Sequence, residues 1–265
     1  MAKKIFKFIF SGFWGKRRWQ WFFDLLLLIV LKGRNVGQGA YVESSGEKWA
    51  LKFFAKSQNQ NQPLVIFDVG SNRGQYALMA NSILSASSLD YKFYCFEPGE
   101  KAFNVLQSVF VSRNNILLFN LALGSEEKLT NLYSDTQGSE ASSLYLREKF
   151  IEKEPVKLAT LDNFCLKNNI PRIHWLKMDV EGYEMEVLKG AKAMLENNAV
   201  DYIQFEFGPS NIDAKVFFKD FFELLNPKYK IYRVLQDGLR HIKNYNPAED
   251  IFLVTNFLAI LRRDN

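Results

Sequence analysis

The chain has 265 residues, 48% apolar and 24% charged, proportions that supply a sizeable core and exclude a disordered, collagenous or coiled-coil chain. Its net charge of +5 is uneven: residues 1–34 hold eight Lys and Arg against Asp24 alone, so the rest of the chain carries −2. A nucleic-acid binder spreads basic residues over its folded face, so nucleic acid is not an expected partner.

Two units are expected, a basic hydrophobic helical segment with its linker (1–62) and an α/β domain (63–265). In the first, the longest uncharged apolar run is Leu25–Leu31, against about 20 residues for a membrane-spanning helix. Extending it back to Trp19 takes in Asp24, which is costly at mid-bilayer. No small-residue cleavage site of a secretory signal follows, so the expected setting is cytoplasmic. Trp14, Trp19, Trp21, Phe22 and Phe23 beside Lys16, Arg17 and Arg18 suit a helix lying on an anionic membrane surface, peripheral to its inner face. Packing on the domain and an oligomer contact are the alternatives. The polar stretch AKSQNQNQP (55–63) reads as the linker.

LVIFDV (64–69) is a short, β-branched apolar run, the signature of a buried parallel strand. Tyr76, Met79, Ala80 and Ile83 mark a helix, YKFYCF (91–96) a second strand, Phe103, Leu106, Val109 and Phe110 a second helix, and NILLFN (115–120) a third strand. Residues 124–160 break the alternation with strand-like pieces around Leu129–Tyr133, Ser143–Leu146 and Val156–Ala159, an inserted hairpin region. A helix from Leu161, the strand IHWLKMD (173–179), a helix with Val187, Leu188, Ala191 and Leu195 inward, and the strand YIQFEF (202–207) follow. Then come a helix with Phe217, Phe218, Phe221, Phe222 and Leu225 inward, and two closing strands, KIYRVL (230–235) and IFLVTNFLAIL (251–261). Cys95 and Cys165 lie in apolar stretches and read as reduced core residues. The alternation predicts a mainly parallel sheet with helices on both faces, and ligands then bind beyond the carboxyl ends of the strands.

Chemistry is therefore sought where strands end. The first ends in DVGSNRG, with Asp68, Gly70, Ser71, Asn72 and Gly74. Its glycines permit a tight turn and close approach to a ligand. Asn72 stands where a dinucleotide fingerprint has its second glycine, so a carboxylate-bearing nucleoside suits the loop better than a pyrophosphate; the alternative is a structural turn. The second ends in FEP. Glu97 lies 23 residues after Gly74, the spacing of an acid that grips both ribose hydroxyls, and the alternative is a solvated helix cap. Asn120 is expected at the rim of a bound base. The fourth ends in KMDVEG, where Lys177 and Asp179 share a face with Glu181 close by; a lysine inside a central strand needs a partner. The alternative there is a structural ion pair. Glu206, at the end of the fifth strand, is a further acid. His174 lies early on its strand and reads as structural, whereas His241 sits in DGLRHIKN, expected as a loop able to fold over the site.

IFDVGSNRGQYALMA, FEP, NLALG, and above all TLDNFC followed by IHWLKMDVEGYEMEVLKGA, resemble the FkbM-type S-adenosylmethionine-dependent methyltransferases over roughly residues 63–207. The resemblance implies a Rossmann-like class I methyltransferase fold: a seven-stranded, mainly parallel sheet with its last strand antiparallel, here behind an N-terminal helical extension. It implies S-adenosyl-L-methionine as cofactor, with Asp68, Gly70, Ser71, Asn72 and Gly74 at its methionyl side, Glu97 on the ribose and Asn120 and Ala122 by the adenine. Asp179 and Glu181 fall near the methyl group. The implied acceptor is a sugar hydroxyl of a glycan, lipopolysaccharide or lipid-linked saccharide, on a pocket built from residues 124–160 and 236–250. Such a hydroxyl needs a general base: Asp179 first, Glu181 or Glu206 next, with Lys177 holding their geometry or stabilising the developing alkoxide charge. A divalent ion on Asp179 and Glu206 is the alternative, but no metal-ligand spacing is present and none is assigned. A small soluble metabolite or a protein amine as acceptor, and a non-catalytic scaffold of the same fold, are the competing functions. Residues 1–34 lie outside the resemblance.

Overall fold

The β-branched runs become the centre of one sheet. The computed structural model describes residues 12–39, 42–58, 62–111, 113–136, 142–148 and 150–263; the cations Lys3, Lys4 and Lys7 of the expected basic segment lie outside the described residues. The first half contains α1 (Gln20–Gly33), α2 (Val42–Ser45), α3 (Glu47–Lys56), β1 (Leu64–Val69), α4 (Gln75–Ala86), β2 (Tyr91–Phe96), α5 (Glu100–Val109) and β3 (Ile116–Phe119). The insertion holds β4 (Ala122–Leu123), β5 (Lys128–Ser134) and β6 (Glu152–Ala159). The remainder is α6 (Leu161–Lys167), β7 (Ile173–Met178), α7 (Glu184–Lys189), α8 (Lys192–Glu196), β8 (Val200–Phe207), α9 (Ser210–Ala214), α10 (Phe218–Leu225), β9 (Tyr229–Val234), β10 (Leu239–Ile242) and β11 (Thr255–Leu261).

The main sheet has the order β10-β9-β11-β8-β7-β1-β2-β3. Strands β3, β2, β1, β7 and β8 are parallel, and β11 runs antiparallel between β8 and β9. This is the expected class I arrangement with one strand added. The extra strand, β10, pairs antiparallel with β9 and comes from the stretch expected as a loop. Arg240 and His241 are exposed, so an edge strand reads as a polar turn. His241 lies opposite Tyr232, ring centroids 4.8 Å apart, fixed in an edge strand rather than in a loop able to fold over the strand tips. Its counterpart His174 is structural: Nδ1 accepts the Val65 N–H at 2.9 Å. The insertion forms a three-stranded sheet, β4-β6-β5.

Successive side chains on β1 and β7 point to opposite faces. Phe67, Val69, Leu176, Met178 and Phe205 of β8 pack under α6, α7 and α10, where Phe164, Phe218 and Phe221 are buried. The helices carry the expected inward residues except Phe217, which is 51% exposed just before α10. On the other face Ile66, Phe93 and Trp175 pack with Tyr76 of α4, Leu106 of α5 and Phe54 of α3. Phe54 lies 5.0 Å from the Trp175 ring and 5.1 Å from that of Tyr202. Helix α3 thus belongs to the core, and the unit expected to begin at residue 63 begins before it. The stretch expected as a linker begins inside α3, and its residues 59–61 lie outside the described residues.

Two glycines in the first loop have positive φ, Gly70 at 85° and Gly74 at 88°. A Cβ on Gly70 would lie 1.9 Å from the Asp179 carbonyl oxygen, and one on Gly74 2.8 Å from Leu106 and Phe110. Their missing side chains admit the protein's own backbone and core rather than a ligand. Gly70→Ala is expected to destabilise the fold by about 3 kcal/mol or more, since both the backbone of β7 and the left-handed conformation oppose it. Gly238→Ala, with nothing within 4 Å, is expected to change stability by less than about 1 kcal/mol. Denaturant unfolding of the two variants checks both.

Candidate active site at the strand tips

Beyond the carboxyl ends of β1, β2 and β7 lies a cavity of about 310 Å³, at the point where the chain leaves β1 in opposite directions along the sheet. Gly70, Ser71, Asn72, Glu97 and Ala122 line it, as do Lys177, Asp179, Glu181 and Glu206. Asp68, Gly74 and Asn120 do not.

The loop after β1 is stitched to β2. The N–H groups of Gly70 and Ser71 donate to the Phe96 carbonyl at 3.0 Å, and Ser71 Oγ donates to the Asp68 carbonyl at 2.8 Å. Asn72 takes a left-handed conformation, φ 47°, which asparagine tolerates better than most residues. That turn aims its N–H at Glu97 Oε2, 2.9 Å away, while the Gly99 N–H reaches Oε1 at 2.8 Å. Glu97 is 8% exposed, which excludes a solvated cap. Burial pushes its carboxyl up to about 7, against the pull of the two N–H donors. Each oxygen keeps a further lone pair for a ligand hydroxyl. Asn120 is a correction: its amide donates to the carbonyls of Glu97 and Pro98 at 3.0 and 2.8 Å. It braces the FEP turn, and the apolar wall of the cavity is Leu121, Ala122, Leu123 and Leu132 instead.

Lys177 organises the other end. Its Nζ lies 3.4 Å from Asp68 Oδ1 and 3.3 Å from Asp179 Oδ2, and 4.8 Å from the centre of the Tyr76 ring. Burial alone lowers an ammonium pKa, but the carboxylates of Asp179, Asp68 and Glu47 outweigh it and hold this one well above the ordinary lysine value. Asp68 is fully buried behind Lys177. Burial raises its pKa and Lys177 draws it back. Tyr76 accepts the Trp175 indole N–H at 2.9 Å.

Glu47 is a cavity residue that sequence reasoning missed. Gln204 Nε2 donates to its Oε1 at 2.6 Å and Ser45 Oγ to its Oε2 at 3.1 Å. Desolvation raises its pKa, with Lys177 opposing. A glutamine inside the apolar strand YIQFEF was the available signal, because a buried amide needs partners. Half-buried Glu206 has no hydrogen bond or ion pair among the described residues. Burial, and then the nearby carboxylates of Asp179, Glu184 and Glu181, push its pKa well up.

Glu181 is clamped. Arg147, from the insertion, reaches its carboxylate at 3.4 Å and its backbone carbonyl at 2.8 Å, and Asp213 at 2.9 Å. Ser210 Oγ donates to Glu181 Oε2 at 2.6 Å. These partners occupy it, so it holds the cavity wall rather than standing free as a base. Ser134, Ser142, Ser143, Glu152 and Glu154 line the cavity from the insertion, as expected, but none of residues 236–250 does.

One ammonium among Asp68, Asp179, Glu47 and Glu206 leaves the inner end acidic, suited to a cationic group. The outer end offers an acid for hydroxyls beside an apolar wall. Among the described residues, no group of three His, Cys, Asp or Glu is placed to hold a metal ion. The Methyltransferase FkbM domain profile matches residues 68–234, more than half of the chain. The chain belongs to the FkbM methyltransferase family.

No curated protein matches this chain. Among solved structures, an FkbM methyltransferase from Methylobacillus flagellatus is similar at 14% identity and a TM-score of 0.47, over 77% of this chain and 45% of that one. The present chain thus spans less than half of that protein's length. A fibrillarin pre-rRNA processing protein from Methanococcus jannaschii shares 15% identity over 81% and 74% of the two chains, TM-score 0.43. An rRNA methylase from Streptococcus thermophilus shares 9% over 81% and 95%, TM-score 0.42.

In this chain a second acid resembles Glu97 in its titration. Glu184 is 1% exposed, its Oε1 accepts the N–H groups of Val180 and Gly182 at 2.9 and 3.3 Å, and burial pushes it up to about 7. Between the ordinary 4.5 and 7, the folded chain keeps protons at Glu97 and Glu184 that the unfolded chain releases. Their stabilisation is complete below pH 4.5 and is lost as pH rises through about 7. Denaturant unfolding is expected to show stability falling between about pH 5.5 and 7, by roughly 1 kcal/mol per pH unit for each group. Glu184→Gln, which keeps the acceptor oxygen but carries no titrating proton, is expected to flatten that slope.

Proposed function

We propose that this protein transfers a methyl group from S-adenosyl-L-methionine to a sugar hydroxyl of a glycan, lipopolysaccharide or lipid-linked saccharide. The observation that carries the reading is the division of the cavity, with Glu97 fixed by two backbone N–H groups at one end and a surplus of carboxylates around Lys177 at the other. The residues present fit the cofactor. Glu97 has lone pairs for two ribose hydroxyls, Leu121, Ala122 and Leu123 offer an apolar wall to a flat ring, and the acidic end suits a sulfonium. The serines and acids of the insertion support a polyhydroxyl acceptor.

S-adenosylmethionine, when bound, supplies an already activated methyl group. The chain's task is then to align a hydroxyl and remove its proton. Asp179, whose side chain is 39% exposed, is the group assigned to accept that proton at a carboxylate oxygen, a role that typically contributes about 10²–10⁴-fold. Lys177 holds Asp179 Oδ2 in place, and Asp68 holds Lys177 from behind. Glu206, biased toward its protonated form, is suited to donate a hydrogen bond rather than to act as the base. Leu132, Leu144 and Val180 line the cavity with apolar groups that exclude water.

Calorimetry with S-adenosylmethionine and a labelled-methyl assay on a glycan fraction test this. Binding together with a one-methyl mass gain on the glycan is expected. No binding would leave a scaffold, and transfer only to amines or small metabolites would replace the acceptor. Above pH 7, where Glu97 is ionised, Glu97→Ala is expected to weaken donor binding by about 2–3 kcal/mol through two lost charged hydrogen bonds. Asp179→Asn is expected to lower turnover at least about 100-fold while leaving donor affinity within about threefold. Equal losses in both would give Asp179 a binding role.

A further inference from the structure

Among the described residues, none covers helix α1 along most of its length. Leu25, Leu26, Leu27, Leu28, Ile29 and Val30 are each between 38% and 58% exposed, and Trp21 is 65% exposed; in the helix only Leu31 is buried. Six consecutive residues at about 100° each run right round a helix. A protein partner covers one stripe of a helix, whereas a hydrocarbon phase wets every side. Cations bracket the apolar run, Lys16, Arg17 and Arg18 before it and Lys32 after it, and none of the four forms an ion pair among the described residues. Asp24 is the only acid in the helix. Exposed Trp14 and Trp21 stand on the basic side, where indole rings favour the headgroup level.

We infer that α1 docks this protein on an anionic lipid surface, sunk to the boundary between headgroups and acyl chains rather than crossing. Its 14 residues make about 21 Å of helix, against a hydrocarbon core of about 30 Å, and no described helix is long and apolar enough to cross a membrane. The root of the helix is fixed to the domain. Arg34 pairs with Glu249 at 3.1 Å, and Arg233 shares that carboxylate. The Asn35 amide donates to the carbonyls of Ser45 and Val234 at 3.1 Å, and the Gly39 N–H to that of Val254 at 3.0 Å. Val234 ends β9 at the carboxyl edge of the sheet, and Gly39 and Val254 line the cavity. The helix therefore leaves the domain at the edge where the cavity lies. Resting on the methyl-transfer reading, this placement selects a lipid-linked saccharide among the proposed acceptors.

Co-sedimentation of the full chain with phosphatidylcholine vesicles, with and without phosphatidylglycerol, tests the docking. The chain is expected to sediment with the anionic vesicles and to be released by high salt. Leu27→Glu with Ile29→Glu, and separately Lys16→Glu with Arg17→Glu and Arg18→Glu, are each expected to lower partitioning at least about tenfold. Both sets lie outside the cavity, and calorimetric affinity for S-adenosylmethionine is expected to stay unchanged in them. Wild-type chain left in the supernatant, equal binding to neutral vesicles, or a soluble dimer broken by the Leu27 and Ile29 changes and indifferent to lipid would each overturn the proposal. Failure to bind S-adenosylmethionine, with vesicle binding intact, would strike only the methyl-transfer reading.

Discussion

A lysine on a central parallel strand has to be neutralised where it stands, and much of this molecule is arranged around that demand. Lys177 occupies the face of β7 that carries Trp175 two residues earlier, so its ammonium emerges among Tyr76, Asp68, Asp179 and Glu47. These groups come from α4, β1, the tip of β7 and α3. An isolated buried charge is prohibitively costly, and the requirement draws four separate pieces of chain to one point. It also accounts for α3: the helix contributes Phe54 to the core and Glu47 to the charge cluster.

The cluster holds more carboxyl groups than its one ammonium can pair. With Asp68 sealed behind the lysine, Asp179 and Glu206 are left facing the cavity, and Glu206 has no hydrogen bond or ion pair among the described residues. A surplus of acid is unfavourable in a closed core, but it prepares a site for a positive ligand. The opposite end follows a different logic. Glu97 owes its position to backbone N–H groups, which depend on the left-handed Asn72 and the turn at Gly99 and on no cation. One end is thus electrostatic and the other geometric, the division expected of a site that holds a nucleoside by its ribose and a charged centre by its field.

Much of this was legible in the residues. The β-branched runs marked the parallel strands, because strands buried on both faces leave little room for polar residues. Lys177 stood out as a charge inside such a run, and Glu97 by its distance from the first loop. What escaped notice depends on contacts remote in the chain. Glu47 meets Gln204 across 157 positions, and α3 was cut off by a polar stretch that local composition marks as a linker. Asn120 lies at a strand tip as expected, yet its amide finds two nearer carbonyls, and Glu181 is occupied by Arg147, 34 positions away in the insertion. Gly70 and Gly74 were correctly singled out for the wrong neighbour: the close approach is to the protein's own backbone and core. Strand β10 was hidden because an edge strand needs no alternation when both faces of its middle are wet.

The central claim is that the strand-tip cavity holds a nucleoside by Glu97 and presents its charged centre to the acids around Lys177. Diffraction from crystals of the full chain grown with S-adenosylmethionine tests it most directly. The account predicts density with both ribose hydroxyls on the Glu97 carboxylate and the sulfonium methyl turned toward Asp179. Density bound elsewhere on the chain, or in the cavity with the ribose away from Glu97, would contradict it.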